Sequence, residues 1–532
     1  MFIFTNALWY VIMKMQNKSA EFTQNAVLLT KNADGKEREA TMKIRILAAT
    51  LAAMQLLLLA ACGTETPDAT EKDAQSTDTT VAETTQDPNA PDFEFKDFKN
   101  ARFHIAGPAN NYGNLYFVEE EVGEVMQDAV YKRALLVEED LKVDFTYERL
   151  NGEGTTNGIN LLPPLQAAAA AGDDLYQLIL THSMNSISTI VTAGLLKDWQ
   201  DVPHVDFSKP YWNSDCNESL EVAGKQFYAF SDYMIVSAYG IYFNKDIMKN
   251  NEGLEDPYEL VRDNKWTLDK MIEMASKVVV DLNGDGAMTK EDQYGFAVMT
   301  DYPMLQFMYG AGLKLCKPGT FELDINNERM LSLIQKIHKL VNESNCTYAY
   351  SYKMATLGDT MEITSGKCLF TTSTVGSLSS YRDSDINLGL VPLPKLTTDQ
   401  EHYECVNWAG MMCVPAIVGD PEMVGMTTEL LSYYSGTTTI PAYYDQLLGA
   451  KLAHDEDMRA MIDYIFKHVV FDGGRNFFGQ SGSMSNLFYT LSRLVGIQKS
   501  ADFASWYAQH EPAAKVQIKQ FFDDLAKLDT PA

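Results

Sequence analysis

The most chemically specific pattern in the sequence is a twelve-residue loop, 281–292, that reads Asp-Leu-Asn-Gly-Asp-Gly-Ala-Met-Thr-Lys-Glu-Asp. Oxygen ligands fall at loop positions 1, 3, 5, 7, 9 and 12, which are Asp281, Asn283, Asp285, the Ala287 carbonyl, Thr289 and Asp292. Gly286 stands at the sixth position, where the chain must turn sharply. A hard cation needs about six to eight oxygens around one centre, and this spacing is that of an EF-hand calcium loop. The sequence therefore predicts a bound Ca²⁺.

Two features distinguish this loop from the loops of calcium sensors. The last ligand is Asp292, which has a shorter side chain than the usual Glu, and Thr289 is a weak ligand. The segment that follows, 293–298, reads as a strand, whereas a calcium sensor continues into a second helix. We therefore expect a structural site within a larger domain. The alternative is an ordinary Asp/Asn/Gly turn without a metal.

The rest of the chain alternates short apolar strands with helices. Hydrophobic periodicity predicts strands at 102–106, 143–147, 175–180 and 235–244, and helices at 124–141, 165–171, 268–280, 330–341, 421–434 and 455–466. This alternation indicates an α/β fold in which parallel strands are joined by crossover helices. The segment 388–394 contains two prolines and is predicted to be an extended connection between domains.

Composition narrows the class of function. The formal net charge of −29 argues against nucleic-acid binding, which needs a basic face to neutralise phosphates. It also disfavours an anionic substrate unless local basic residues reverse the field. Besides Cys62, six cysteines are scattered without zinc-ligand spacing, and the sequence gives them no disulfide connectivity: Cys216, Cys316, Cys346, Cys368, Cys405 and Cys413.

The N-terminal region has the pattern of an exported lipoprotein. Residues 42–61 combine a short basic start, an apolar run and small residues before Cys62, as in a signal peptide. The string Leu-Ala-Ala-Cys-Gly is similar to the bacterial lipobox, which implies cleavage before Cys62 and lipidation of its thiol; a plain signal peptide is the alternative. Residues 1–41 are interpreted as an over-called translation start, or alternatively a cytoplasmic extension. Residues 62–92 are acidic and poor in apolar side chains, which predicts a disordered tether.

Several segments in the body of the chain resemble one protein family. They are Tyr242–Ile247, Trp266–Ala275, the calcium loop with Tyr294–Phe296, Leu388–Pro394, and Pro441–Tyr444 followed by Asp455 and Glu456. In this order, over residues 95–532, they resemble the extracellular solute-binding proteins, family 1, of carbohydrate ABC importers. The alginate-binding members of that family carry a similar calcium loop.

The resemblance implies a two-lobed, periplasmic-binding-protein-like α/β fold of type II with a multi-crossing hinge. Lobe 1 would comprise 93–238 and 388–438, and lobe 2 would comprise 239–387 and 439–532. The lobes would close on a carbohydrate held between them. The protein would be a monomer, lipid-anchored on the extracellular face of a bacterial cell membrane, and would deliver its ligand to the importer's permease subunits.

Sugar-binding sites combine aromatic rings with planar polar side chains, and in α/β folds these residues follow the carboxyl ends of strands. On that basis the predicted ligand-binding residues are Asn111 and Tyr112 (with Asn110 beside them), His182, Trp212, Asp232, Tyr233, Tyr239, Tyr302 and Trp408. Each has an alternative as an ordinary loop or core residue. The acidic balance of the chain favours a neutral oligosaccharide over a uronate polymer.

Catalytic interpretations have less support. The sequence contains no nucleophile elbow, zinc-protease helix or phosphate-binding loop, so we expect no enzymatic activity. Glycosidases use a pair of carboxylates across the sugar, and 72 acidic residues neither reveal nor exclude such a pair. A surface polysaccharide-degrading lipoprotein therefore remains an alternative, and a calcium-stabilised adhesin is a third.

Overall fold

The computed structural model describes residues 87–109, 111–150, 161–182, 187–300, 303–356, 358–381, 384–452, 455–478 and 482–528. The predicted translation start, signal peptide and lipidation site at Cys62 lie outside these residues, as does the tether up to residue 86. All of the described residues except Asp87 belong to one compact unit.

The strands of the described residues are β1 (Ala101–Pro108), β2 (Val143–Leu150), β3 (Leu178–His182), β4 (Tyr239–Asn244), β5 (Tyr294–Met299), β6 (Thr347–Tyr350), β7 (Cys368–Thr374), β8 (Leu388–Val391), β9 (Cys405–Val406), β10 (Gly410–Cys413) and β11 (Val469–Val470). The helices are α1 (Val125–Leu141), α2 (Leu162–Ala171), α3 (Ile187–Thr192), α4 (Ser214–Leu220), α5 (Lys245–Asn250), α6 (Pro257–Arg262), α7 (Leu268–Ser276), α8 (Pro303–Gly310), α9 (Glu328–His338), α10 (Tyr352–Thr356), α11 (Leu378–Tyr381), α12 (Pro421–Ser435), α13 (Thr439–Leu452), α14 (Glu456–Lys467), α15 (Gly473–Phe478), α16 (Gly482–Gly496) and α17 (Phe503–Leu528).

Many of these helices begin at a side chain that caps them. Asn244, Thr267 and Asp420 each accept a hydrogen bond from a backbone N–H in the first turn of α5, α7 and α12, respectively. Such caps satisfy donors that have no partner inside the helix. This local chemistry explains why the starts of the predicted helices agree with the structure to within a few residues.

The first sheet has the strand order β10-β3-β1-β2. Strands β1, β2 and β3 are parallel, with Ala101 opposite Val143 and Ile105 opposite Leu178. Strand β10 returns from much later in the chain and pairs antiparallel with β3. The carboxyl ends of the three parallel strands therefore share one edge with the beginning of β10.

The second sheet has the order β6-β5-β7-β4-β8. Strands β5, β6 and β7 are parallel, whereas β4 is antiparallel to both β7 and β8. Gly389 lies opposite Phe243 in this pairing, and a Cβ there would approach the Phe243 ring to 2.1 Å. Only glycine allows β8 to pair this closely beside that ring.

The position of β8 corrects one prediction. The segment 388–394 was expected to be an extended connection that begins the return to lobe 1, but Leu388–Val391 is a buried strand of the second sheet. The two prolines that suggested a connection come after the strand and end it. The chain therefore passes from the second sheet to the first between Val391 and Gly410, later than the predicted boundary at residue 388.

Two further properties bear on function. Among the described residues, no helix is both long enough and apolar enough to cross a membrane. The six cysteines in the described part of the chain are buried free thiols, and no disulfide joins them there.

Candidate functional site

Three of the predicted ligand residues meet where the strand ends converge. His182 ends β3 and lies opposite Gly410, the first residue of β10. Trp408 immediately precedes β10, and its backbone N–H donates to the carbonyl of Ser237 at 2.8 Å. Ser237 is two residues before Tyr239, which begins β4 of the second sheet. The antiparallel returns of β4 and β10 thus bring His182, Tyr239 and Trp408 together.

Trp408 is the centre of this group. The guanidinium carbon of Arg475 lies 3.6 Å from the centroid of the Trp408 ring, a close cation–π contact. The Tyr239 ring meets Trp408 edge-to-face, with the centroids 5.8 Å apart. Trp408 remains partly exposed although both neighbours pack against it. It is therefore an oriented aromatic surface of the kind that stacks on a sugar ring.

His182 adds a polar group beside this ring. Burial and the nearby charge of Arg475 lower the pKa of His182 to about 4, although a hydrogen bond with the Trp408 backbone opposes that shift. The imidazole is consequently neutral near pH 7, with one nitrogen able to donate and the other able to accept a hydrogen bond.

The sequence did not predict Arg475, whose guanidinium group packs against the Trp408 ring. Arg475 is fully buried on α15, next to the equally buried Asp472. The Asp472 carboxylate accepts hydrogen bonds from the Leu315 backbone N–H at 2.6 Å and from the Tyr309 hydroxyl at 3.1 Å. The available signal was a single basic residue within an apolar stretch, Val469–Phe478, of a strongly acidic chain. A basic residue in such a stretch indicates a buried charge, which needs a counter-charge or hydrogen-bond acceptors nearby.

Asp232 lies on the segment that leads from the first sheet to β4. Its side chain is half-buried, and burial raises the pKa of its carboxyl from 3.8 to about 7. No hydrogen bond or ion pair from a described residue reaches this carboxylate. The Asp232 carboxylate is close enough to Tyr444 on α13 to interact with it electrostatically. The described residues therefore leave the acceptor positions of the Asp232 carboxylate unused.

Helix α13 supplies two tyrosines that sequence reasoning did not select. The Tyr443 hydroxyl donates to the Val236 carbonyl at 3.4 Å, on the same connecting segment as Asp232. The Tyr444 hydroxyl donates to Asp463 at 2.6 Å. A Tyr-Tyr pair was visible in the sequence, but nothing local to it indicated that α13 would pack beside the 231–238 segment.

Two predicted ligand residues belong to the core instead. Trp212 is 1% exposed, and its indole N–H donates to Glu429 at 2.7 Å. It packs edge-to-face against Trp199, with ring centroids 5.9 Å apart. Trp212 therefore packs within its lobe, which was the alternative interpretation, and offers no surface to a ligand.

Tyr233 is also buried, at 0% exposure. Its ring covers the guanidinium of Arg133, whose carbon lies 4.4 Å from the ring centroid. Arg133 in turn donates to Ser435 and Thr439, at the junction of α12 and α13. The prediction for Tyr233 is corrected, since the side chain is fully buried and packs on a buried cation.

The side chains of the four remaining predicted ligand residues lie outside the described part of the structure. Asn111 and Tyr112 begin a 3₁₀ turn, Asn111–Leu115, that follows β1, but their side chains lie outside the described part of the structure. Asn110 and Tyr302 lie entirely outside the described residues. These four positions stay predictions.

The predicted calcium loop folds around its first and last carboxylates. Asp281 accepts backbone hydrogen bonds from Gly284 at 2.7 Å and Gly286 at 2.8 Å. Gly286 has φ of +80°, as a sharp turn at the sixth position requires. Asp292 is buried and accepts from the Thr289 N–H at 2.7 Å, a bond that lowers the pKa of the Asp292 carboxyl.

The remaining ligand candidates extend this pattern, but the carboxylates do not converge. Asn283 accepts from the Asp285 N–H at 2.9 Å, and Asp285 accepts from the Ala287 N–H at 2.8 Å. These bonds use one lone pair of each oxygen and leave another for a cation. Within the described ranges, however, no three His, Cys, Asp or Glu side chains lie close enough together to hold a metal ion. The loop therefore has the backbone turns of a calcium site, but its carboxylates do not surround a common centre. Calcium binding stays a prediction.

Comparison with known proteins bears on the fold. No protein-family profile matches the chain, and no curated protein sequence matches it significantly. Among solved structures, UgpB from Mycobacterium tuberculosis, in complex with glycerophosphocholine, matches 76% of this chain and 99% of its own with a TM-score of 0.50 at 13% identity. The maltose-binding periplasmic protein MalE from Listeria monocytogenes matches 81% and 100% with a TM-score of 0.48 at 16% identity.

The two sheets and the likeness to UgpB define the class of the fold. The protein has the two-lobed, periplasmic-binding-protein-like α/β fold, which confirms the predicted fold class. At this level of identity the likeness establishes the fold alone. The chemistry of the site must therefore come from the residues of this chain.

Proposed function

We propose that the protein is the substrate-binding component of an ABC importer and captures a carbohydrate, most simply an oligosaccharide. The observation that carries this proposal is the cluster of His182, Tyr239 and Trp408 where strand ends of both sheets meet. An oriented indole beside a neutral imidazole suits a ligand with apolar ring faces and hydroxyl groups. The two-lobed fold supports capture by closure of the lobes.

The residues would act by binding alone. Trp408, held against Arg475, would stack on a sugar ring, while His182 would form a hydrogen bond with one of its hydroxyls. Asp232 would accept a further bond through its unused oxygens. A ligand that contacts both lobes would favour the closed state in proportion to its extra contacts there.

The location of the protein is part of the proposal. The lipobox-like sequence at Cys62 supports a lipid anchor on the extracellular face of the cell membrane, and the acidic segment 62–92 supports a tether between anchor and folded unit. Anchoring would keep a monomeric binding protein near the permease subunits that accept its ligand. In this role we expect the mature chain to bind its ligand without enzymatic activity.

A structural calcium ion in the 281–292 loop is a separate proposal. The loop supplies Asp281, Asn283, Asp285, the Ala287 carbonyl, Thr289 and Asp292 as oxygen ligands. The backbone bonds to Asp281 and Asp292 already fix the turns, so binding would require only that the carboxylates draw inward. The ion would stabilise the loop and take no part in ligand capture.

A thermal-shift screen with neutral, acidic and amino oligosaccharides, combined with product analysis, tests the proposed function. We expect at least one glycan to raise the melting temperature without being cleaved. Trp408→Ala should lose that shift, and Trp408→Phe, which keeps a ring, should retain part of it. Turnover of the glycan would establish the glycosidase alternative, and the absence of any shift would contradict carbohydrate binding.

A further inference from the structure

A second aromatic surface lies at the carboxyl edge of the first sheet, apart from the ring of Trp408. The rings of Phe117 and Tyr147 are stacked, with an interplanar angle of 2° and centroids 5.5 Å apart. Phe117 lies on the segment between β1 and α1, and Tyr147 lies in the second half of β2. Both side chains remain partly exposed. This Phe117–Tyr147 stack therefore offers flat apolar area of the kind on which sugar rings bind.

The neighbouring strand fixes the direction of the Tyr147 ring. Tyr147 lies opposite Ile105 in the register of β1 and β2, but its side chain reaches further along β1. A Cβ on Gly107 would lie 2.0 Å from the Tyr147 hydroxyl oxygen, so only glycine at that position leaves room for the ring. The Tyr147 hydroxyl donates to the Pro108 carbonyl at 3.4 Å. The ring therefore lies across β1 and extends toward its carboxyl end.

Arg149 adds hydrogen-bond donors beside the Phe117–Tyr147 stack. Its side chain is exposed, and its guanidinium carbon lies 5.4 Å from the centroid of the Tyr147 ring. The guanidinium group donates to the side-chain oxygen of Asn114 at 2.9 Å. Because a guanidinium group has five N–H donors, it can keep this bond and still donate to a sugar hydroxyl. The stack thus combines apolar rings with a planar polar group, as Trp408 does with His182.

The Phe117–Tyr147 stack and Trp408 lie along the same edge of the first sheet. Tyr116, next to Phe117 in the chain, reaches the start of β10, because a Cβ on Gly410 would lie 3.4 Å from the Tyr116 hydroxyl. Gly410 is opposite His182 and two residues after Trp408. The strand order β10-β3-β1-β2 places β1, on which the stack lies, two strand spacings, or about 10 Å, from β10. A single sugar ring is too short to cover both aromatic surfaces.

We propose that the Phe117–Tyr147 stack is a second sugar subsite and that the natural ligand is an oligosaccharide of about three or more units. This inference rests on the proposed carbohydrate-binding function and specifies the length of its ligand. One sugar ring lies on Trp408, a later ring of the same oligosaccharide lies on the stack, and Arg149 donates to a hydroxyl there. A monosaccharide or disaccharide occupies only the Trp408 surface and binds more weakly.

The test measures affinity against ligand length. Glucose oligomers in α-1,4 and β-1,4 linkage, and β-1,4-linked mannose and xylose oligomers, are titrated calorimetrically from the monosaccharide to the hexasaccharide. Phe117→Leu and Tyr147→Leu each remove one ring of the stack and keep an apolar side chain. Phe93→Leu is the matched control, since it removes a half-buried ring from the segment before β1. Melting temperatures establish which variants are folded before the titrations.

We expect the native protein to bind a tetrasaccharide about tenfold or more tightly than the corresponding disaccharide. Phe117→Leu and Tyr147→Leu should lose most of this gain and keep the disaccharide affinity, whereas Phe93→Leu should retain the gain.

Three results would overturn the inference and leave the proposed function standing. They are a native affinity that does not depend on length, a gain that survives in the folded ring variants, and a loss in those variants that is equal for the disaccharide and the tetrasaccharide. If no oligosaccharide of any series binds, both the inference and the carbohydrate proposal fail.

Discussion

Replacing Asp232 with asparagine should stabilise the unliganded protein, because the native side chain is ionised at a cost. Burial raises the pKa of this carboxyl from 3.8 to about 7. A carboxyl whose pKa is raised on folding favours the folded state at low pH and opposes it as the pH rises toward 7. Asparagine has nearly the same shape and carries no charge, so the variant should lack this pH-dependent penalty.

The size of the effect follows from linkage. The difference between 3.8 and about 7 corresponds to about 4 kcal/mol of lost stability well above pH 7, and to about 1 kcal/mol near pH 4.5. Asp232 keeps some contact with solvent, which reduces the penalty. We therefore expect Asp232→Asn to gain about 2 kcal/mol over the native protein between about pH 4.5 and about pH 8.

Urea unfolding of both proteins at the two pH values measures this gain directly. The midpoint of the native protein should fall relative to that of the variant as the pH rises. Asp445→Asn, which removes an exposed charge on α13, is the control and should follow the native protein. If Asp232→Asn is less stable than the native protein at about pH 8, or if the difference between them does not change with pH, the carboxylate has a partner and the reasoning is refuted.

Three further predictions concern the site, the loop and the anchor. Trp408→Ala should weaken binding of a responsive glycan by about thirtyfold or more, as expected for a central aromatic anchor, and calorimetry would show this. A chelator should lower the melting temperature by a few degrees and Asp281→Asn should remove that response; an unchanged melting curve with no calcium in elemental analysis would rule the metal out. Cys62→Ser should release the protein from the membrane fraction and prevent labelling with a fatty acid; retention of both would contradict the lipid anchor.

The local architecture was predictable because local chemistry sets it. Helix α1 was expected at 124–141 and lies at Val125–Leu141, since its apolar residues recur with helical spacing. Helix α2 was expected to end at residue 171 and does so, because Gly172 adopts the left-handed conformation that ends many helices. Strand β8 was missed because it has only four residues and is followed at once by the first of the two prolines that suggested a connection.

The residues of the site were predictable only in part, because residues that contact one another there come from distant segments of the chain. His182, Tyr239 and Trp408 could be selected as polar or aromatic residues near strand ends. Arg475 could not, since its contact with Trp408 joins positions far apart in the chain. Trp212 illustrates the reverse error: its burial against Trp199 and its bond to the buried Glu429, both contacts with distant segments, place it in the core.

Small-angle X-ray scattering with and without a glycan identified by thermal shift tests most directly whether the protein captures its ligand by closure. We predict that the radius of gyration falls saturably as ligand is added to the native protein, and that Trp408→Ala requires much higher concentrations for the same change. A radius of gyration that stays constant while calorimetry shows the native protein to be saturated would contradict the two-lobed capture mechanism.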